Sequence, residues 1–594
     1  MAAVAPPPAT ISAVGGSFLI ESPDSTFTPE DFTEEHRQIA STATRFMDEE
    51  VIPAIDEYEQ KKDGLARGLI EQAGELGLLS ILAPEKFGGL ELDVTSQMLV
   101  ADTIGRYAAF SVTYGAQCGI GMLPLVFFGN DEQKGRYLER IMSGELVAAY
   151  CLSEPQAGSD ALAARTRADL SEDGTHYTLN GQKMWISNGG WADLYTVFAQ
   201  VDGDKFTGFL VERGFDGVSP GAEEHKMGIR GSSTTSVFLD NVKVPVENLL
   251  GEVGRGHIIA FNILNLGRLK LGSSSVGSAK HVIAESAGYA KQRKAFGKTI
   301  AEFGAIQHKL AEMAIQTYVG ESVVYRTCGL IDSRLSGLSW DDADAAGKHL
   351  KGVEEYAVEC AITKVVGTEG LSYVADEGVQ IHGGYGFHED YHVERAYRDA
   401  RINRIFEGTN EINRLLTTGM LLKRAVQGRL DLMSAIQRLL AQVQAGDLGV
   451  EPGQGPLAEE AALLARAKKV ALLGTGIAYE RFGKDLEQEQ EVNSALADII
   501  MLVYSLESAL LRAQKLVAAG KGSNAADITR VFARDALTEI ARHGSTIIAA
   551  CTTGSKLEQS FGLLRRLTKF VPMNSIAVRR DIAGRIIDAE KYVV

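Results

Sequence analysis

Cysteine, proline and tryptophan are all scarce, at 5, 14 and 3 in 594 residues. The cysteines (Cys118, Cys151, Cys328, Cys360, Cys551) lie far apart with no C-x-x-C pair, which argues against a disulfide framework or a zinc finger. No metal ligand set is expected. No uninterrupted apolar run approaches the roughly 18 residues of a spanning helix, so membrane contact could only be peripheral. Basic residues are absent before Arg37, so the N-terminus has neither a charged signal-peptide start nor an Arg-rich presequence face. An unprocessed, cytoplasmic bacterial protein is the expectation. Positive charge is also in deficit, the formal net charge being -17, which disfavours nucleic-acid binding.

A three-glycine phosphate loop is missing as well. Gly474-Thr475-Gly476 follows the apolar run KKVALL, but Tyr479 stands where a third glycine would be, and EEAALLARAKKVALL has helical spacing. These small residues are expected inside a packed helix, so any nucleotide cofactor must be held in another way.

What is present is ordinary globular texture, 45% hydrophobic and 23% charged, in a chain too long for one core. Residues 1–27 are Ala/Pro/Gly/Ser-rich and expected to be an arm. Over residues 28–148 apolar residues recur at helical spacing, as at Ile39, Ala43 and Phe46. Across 149–252 the period falls to two. Asp173-Gly174, Asn180-Gly181, Asp202-Gly203 and Asp216-Gly217 there predict hairpin turns of an antiparallel sheet. Helical patterning returns over 253–430. A Gly/Pro stretch at 445–456 then reads as a linker within a last helical block, 431–594, whose basic and acidic residues nearly balance. The fold class expected is a mainly helical α+β protein.

Four stretches carry a resemblance: AAYCLSEPQAGSDALAARTRA (148–168), GQKMWISNGGWADLY (181–195), RKAFGKTIAEFGAIQHKLAEM (293–313) and VQIHGGYGFHEDYHVERAYRDARINRIFEGTNEINR (379–414). In order and spacing they resemble the acyl-CoA dehydrogenase family. The likeness covers about residues 30–430, and the tail looks like the extra helical domain of the very-long-chain branch. It implies an N-terminal helical domain, a middle β domain, a four-helix bundle and an added helical domain. It also implies FAD as cofactor, a fatty acyl-CoA substrate and an electron-transfer flavoprotein as partner.

Residue by residue, the resemblance places Tyr150, Leu152, Ser153, Trp185, Ile186 and Ser187 at the flavin ring, with Ser159 reaching toward CoA. Arg293, Phe296, Gln380, Gly383 and Gly384 would receive the diphosphate and adenine of a neighbouring subunit's FAD. A fork-shaped guanidinium suits phosphate, and glycines let backbone approach it. FAD bound across an interface implies an obligate oligomer, and the tail favours a dimer. Several members carry Gln where this chain has Gly304, so no contact is assigned there.

Proton removal beside a thioester needs a base on one face of the substrate and donors to its carbonyl oxygen. Glu407 sits between Phe406, which helps exclude water, and Gly408, which lets an acyl chain pass close to backbone. The resemblance makes Glu407 the base and its N–H one oxygen donor. Glu411 falls in the first turn of the next helix, where a carboxylate favourably opposes the helix dipole; its expected job is structural or, with Thr409, near the FAD adenosine, not proton abstraction. Some relatives carry the base just before an arginine on another helix, but that position here is Gly267. Arg268 is retained, whereas Asn265 replaces the Asp of medium-chain enzymes; both are expected near substrate.

Gly121, in CGIGMLPLVFFG, is expected to open the cavity floor. Residues 556–580, basic and apolar together, suit either an anionic membrane surface or a solvated helix face. An acyl-CoA oxidase and a flavoprotein assembly or binding protein with secondary dehydrogenase activity stay open as alternatives.

Overall fold

The computed structural model describes residues 14–594. Seven helices come first: α1 (Glu34–Phe46), α2 (Ile55–Glu59), α3 (Leu65–Glu75), α4 (Val94–Ile104), α5 (Ala108–Gly115), α6 (Leu123–Phe128) and α7 (Asp131–Met142). α1 starts where the Thr33 side chain accepts from the His36 N–H at 3.2 Å, and it buries Ala43 and Phe46.

Eight strands follow: β1 (Ala148–Cys151), β2 (Arg167–Leu170), β3 (His176–Ser187), β4 (Leu194–Val201), β5 (Lys205–Glu212), β6 (Val218–Glu223), β7 (Thr234–Pro245) and β8 (Leu249–Leu250). They form one sheet in the order β6-β7-β3-β2-β4-β5-β8, with β1 paired to β4. Most neighbours are antiparallel, but β4 pairs in parallel with both β1 and β2. Three of the expected Asx-Gly turns join strands. The fourth does not: Asn180-Gly181 lies inside β3 at a register shift against β7. A Cβ on Gly181 would fall 2.4 Å from the Thr166 hydroxyl, so the glycine serves close strand approach.

The remainder is helical: α8 (Gly256–Gln292), a two-residue hairpin pair β9 (Lys294–Ala295) and β10 (Lys298–Thr299), α9 (Gly304–Leu335), α10 (Ala345–Glu354), α11 (Ala357–His382), α12 (His392–Ala400) and α13 (Asn410–Val426). The tail adds α14 (Leu432–Ala445), α15 (Ala458–Phe482), α16 (Gln490–Ala518), α17 (Ser523–Cys551), α18 (Gly554–Leu567) and α19 (Ser575–Ala589). Gly474 and Thr475 are buried within α15, as their flanks require. Two stretches, Ala108–Phe128 and Gln490–Ala518, are long and apolar enough to cross a membrane, yet 78% of each window is packed inside the molecule. They are core elements.

The expectation of an arm over residues 1–27 is corrected for its described part. Phe18 and Leu19 are buried in the same apolar cluster that joins α8, α9 and α11 to the tail helices. The backbone N–H groups of Gly15 and Gly16 donate to Glu355 and Glu359 at 2.9 and 2.7 Å. Ser22 donates to the fully buried carboxylate of Glu507 at 2.6 Å, which Arg326 and Lys468 also hold, at 2.6 and 2.5 Å. Composition could not show this, because its apolar anchors are two adjacent residues. Residues 1–13 of the expected arm lie outside the described residues.

Candidate active site

Glu407 lies on a short loop between a 3-10 turn (Arg401–Arg404) and α13. Its backbone is left-handed, at φ 57°, and Gly408 follows at φ 76°. A non-glycine residue pays for that conformation, so the surroundings must hold it. They do. Lys364, on α11, donates to the Gly408 carbonyl at 2.8 Å and to Asn410 Oδ1 at 2.7 Å, and Asn413 donates to the carbonyls of Gly408 and Thr409 at 2.8 and 3.0 Å. Thr409 caps α13 by accepting from the Ile412 N–H at 3.2 Å. Burial draws Lys364 down to about 7, against the opposing pull of Glu407.

The Glu407 side chain enters a cleft holding about 920 Å³ of empty space, mouth included, between α8, the α5–α6 segment and the 400–407 turn. Its Oε2 is shut off from solvent and has no hydrogen-bond partner among the described residues. A Cβ on Gly267 would lie 2.8 Å from that atom, so the glycine makes the room the carboxylate occupies. Burial raises the Glu407 carboxyl above its ordinary range; Arg268, Lys364 and Lys270 pull the other way. Among the described residues the Glu407 N–H has no acceptor within the protein. The result is a carboxylate shielded from solvent beside a free backbone donor, an arrangement suited to abstraction of a proton next to a carbonyl.

Phe406 lines the same cleft. Arg268 is buried, donating to the Glu407 carbonyl at 3.4 Å and to Asn265 Oδ1 at 3.2 Å, so both sequence candidates stand beside the loop. Glu411 is exposed in the first turn of α13, where its own backbone N–H and the Thr409 hydroxyl hold its carboxyl below the usual range. Gly121 does not open the cleft. Its added Cβ would strike the Ala116 carbonyl at 2.5 Å and Ala148 at 2.9 Å, so it seats the helix against β1. Gly115 and Gly119 line the cleft instead.

On the sheet side, Ser187 reaches the cleft. Trp185 is exposed and left-handed at φ 62°, at a second register shift between Lys183 and Ile186, which turns the indole outward while Ile186 stays buried. Tyr150 is buried against Phe198, its hydroxyl donating to the Ala260 carbonyl at 3.4 Å. Leu152 and Ser153 are half-buried at the start of the following loop, and Ser159 is exposed on it. Two residues not anticipated from sequence anchor this loop: Glu154 and Lys183 form an ion pair of 2.7 Å, their side chains 2% and 0% exposed. Glu154 also accepts from the N–H groups of Arg165 and Thr166 at 2.6 and 3.0 Å.

Arg293, Phe296, Gln380, Gly383 and Gly384 are absent from this cleft; all are exposed on another surface. There Arg293 lies over the Tyr385 ring at 5.5 Å, and Phe296 is 95% exposed at φ 52°. An added Cβ at Gly384 would meet nothing within 4 Å, so packing in this chain does not demand that glycine.

Models of the acyl-CoA dehydrogenase N-terminal and middle domains match residues 33–145 and 149–242, and two described as its C-terminal domain match 254–421 and 466–566. A probable acyl-CoA dehydrogenase of Bacillus subtilis (strain 168) is 48% identical over 585 residues, 98% of each chain. A crystal structure of acyl-CoA dehydrogenase complexed with FAD from Bacillus anthracis has a TM-score of 0.96 and 47% identity, covering 98% of this chain and 100% of that one. The mitochondrial very long-chain specific acyl-CoA dehydrogenase of Rattus norvegicus is 41% identical over 406 residues, 66% of this chain and 58% of that protein.

Proposed function

The chain belongs to the acyl-CoA dehydrogenase family, and from that premise we propose that it converts medium- to very-long-chain fatty acyl-CoA to trans-2-enoyl-CoA with Glu407 as the base. It is an FAD-dependent acyl-CoA dehydrogenase. The observation that carries the role of Glu407 is the unpartnered Oε2, shut off from solvent within the cleft and given room by Gly267.

The residues present fit the cofactor. The Ser187 side chain lines the cleft, the nearby Trp185 indole is exposed, and Gly384 is bare where no contact of this chain requires it. Tyr150, Leu152, Ser153, Trp185, Ile186 and Ser187 would hold the ring side. Arg293, Phe296, Gln380, Gly383 and Gly384, with Thr409 and Glu411 nearer the adenosine, would hold the rest across a dimer interface. When bound, FAD supplies the acceptor for the hydride lost from the substrate's β-carbon. Glu407 takes the α-proton, its N–H steadies the thioester oxygen, and Phe406 and Leu266 keep water from the carboxylate. Asn265, Arg268 and Gly408 shape the wall at the reacting carbons, and Ser159 lies toward the CoA end.

Chain length is supported by the cleft's small lining. Gly105, Ala108 and Ser111 face Ser274 and Ser278, and the α8 wall from Gly267 to Ser278 runs about 16 Å. Electrons would pass to an electron-transfer flavoprotein in the cytoplasm. Peripheral membrane contact through 556–580 has support from exposed Arg565, Arg566, Val571 and Ile576. Arg579 is unavailable for it, being paired to Glu312 and Asp535.

The test is anaerobic titration with acyl-CoAs of increasing length while flavin absorbance is followed, for the wild type and Glu407→Gln. Bleaching by long saturated chains, lost in the variant, is the expected result. Flavin that stays oxidised with every chain would overturn the reading in favour of a binding or assembly role.

A further inference from the structure

The cleft that would take the acyl chain is lined mainly by apolar and small residues, but one basic side chain stands among them. Lys270 lies on the α8 face that carries Gly267, one turn or about 4.5 Å further along the axis. Its side chain lines the cleft and the residue is only 9% exposed. An ammonium can donate three hydrogen bonds. Lys270 donates one, to the Cys118 sulfur at 3.4 Å, a weak acceptor, and it makes no ion pair among the described residues. The Tyr114 ring, 5.7 Å from Nζ, adds only a modest cation–π attraction.

The fold nevertheless reserves space for this amine. A Cβ on Gly119 would lie 2.9 Å from Nζ, and one on Gly115 would lie 3.8 Å from the Lys270 Cδ. The backbone at Gly119 leaves helical geometry there, at φ -107° and ψ -105°. Other polar side chains share the lining: Ser111, Ser274, Ser278 and the buried amide of Asn403. A buried cation with one poor acceptor is costly, and a long aliphatic chain passing beside it would add nothing to satisfy it. An oxygen-bearing chain would.

We propose that Lys270 is a specificity-determining residue that accepts acyl-CoA substrates carrying a carboxylate on the acyl chain, which pairs with its ammonium beyond the reacting carbons. This rests on the dehydrogenase reading and extends its substrate class to carboxyacyl-CoAs. Glu407 reacts at the thioester end, so the second carboxylate stands on the far side of Gly267 from the CoA. A charge-assisted bond of this kind predicts about a 10- to 100-fold preference that depends on Lys270.

The experiment compares kcat/KM for matched pairs, hexanoyl-CoA against adipoyl-CoA and octanoyl-CoA against suberoyl-CoA, in the wild type, Lys270→Met and Lys270→Arg holoenzymes. The readout is the ratio within each pair, which a general structural defect would leave unchanged. The expected result is that Lys270→Met lowers the carboxyacyl ratio about 10- to 100-fold and Lys270→Arg restores most of it. In the wild type alone, adipoyl-CoA should outperform its ω-methyl ester, a comparison that stands even where a variant fails to fold. An unchanged ratio in Lys270→Met, or equal use of acid and ester, would overturn the proposal. A wild type that oxidises hexanoyl- and octanoyl-CoA but neither carboxyacyl partner would overturn it while leaving the dehydrogenase intact. Failure with every thioester would instead remove the dehydrogenase reading and this proposal with it.

Discussion

Gly267 and Glu407 are 140 positions apart in the chain, yet a single methyl group added to the first would sit 2.8 Å from the carboxylate oxygen of the second. The carboxylate occupies the volume that any side chain at 267 would take. Gly267→Ala should therefore displace that carboxylate by a few tenths of an ångström or more and, with Glu407 as the proposed base, slow flavin reduction by about 10- to 100-fold. FAD content should be retained, because neither residue belongs to the exposed Arg293–Gly384 surface. Stopped-flow reduction at saturating acyl-CoA checks the rate, and the visible spectrum of the purified variant checks the cofactor. An unaltered rate would mean that Glu407 does not act from its observed position.

The Glu407 carboxyl must be ionised to accept a proton, and burial raises it above its ordinary 4.5. The reduction rate should accordingly fall as pH drops, with a midpoint above that of an exposed glutamate. Lys364 opposes the shift, so Lys364→Met should move the midpoint to higher pH as well as loosening the loop. A pH profile of the single-turnover rate separates the two effects. Loosening lowers the plateau, whereas charge removal moves the midpoint.

Lys364 also has a stability signature. Its folded pKa is lowered to about 7 from 10.5, so between those values the unfolded chain binds more protons than the folded one. Stability from this group therefore rises with pH across that window and is lowest below about 7. Asp332 and Asp399 work in the opposite sense, because burial raises both from 3.8 to about 7 and their contribution declines as pH rises through that range. Comparing urea unfolding of wild type and Lys364→Met at pH 6.5 and pH 9 isolates the lysine. The wild type should gain more than the variant on going to the higher pH.

Much of this arrangement was legible because its signals are local. Phe406-Glu407-Gly408 is contiguous, the vacancy at Gly267 is a single residue, and helical periodicity survives in α1. What escaped the sequence is pairing across long separations. Nothing near Lys364 points to the Gly408 carbonyl 44 residues on. The Lys270 amine meets Cys118 only because α8 packs on the α5–α6 segment, and Asn180-Gly181 reads as a turn until β7 is seen to run past it. Packing of the chain's start was hidden for the same reason, since Ser22 finds its partner Glu507 on a distant helix.

The Glu154–Lys183 pair, between residues 29 positions apart, is another pairing of that kind, on the sheet side. It is almost wholly buried, and it pins the loop after β1 to the strand that presents Trp185 and Ser187. Burial pushes the Glu154 carboxyl up, but Lys183 and the backbone donors outweigh this and hold it below its usual range. Breaking such a pair leaves one uncompensated buried charge, at a cost of about 3–5 kcal/mol. Lys183→Met should thus lower the melting temperature sharply and shed FAD first, because the loop that loses its anchor is the one expected to border the flavin. Glu154→Gln with Lys183→Met should recover part of the loss, as the double variant buries no net charge. In the wild type the Glu154 carboxyl is held below its ordinary range, so its stabilising contribution is present above the unfolded pKa and lost as pH falls through the folded one. The wild type should then shed FAD on acidification over a range where the double variant does not. Melting curves and flavin release measured together across acid pH decide it: parallel loss in both proteins would show that the pair does not govern the loop.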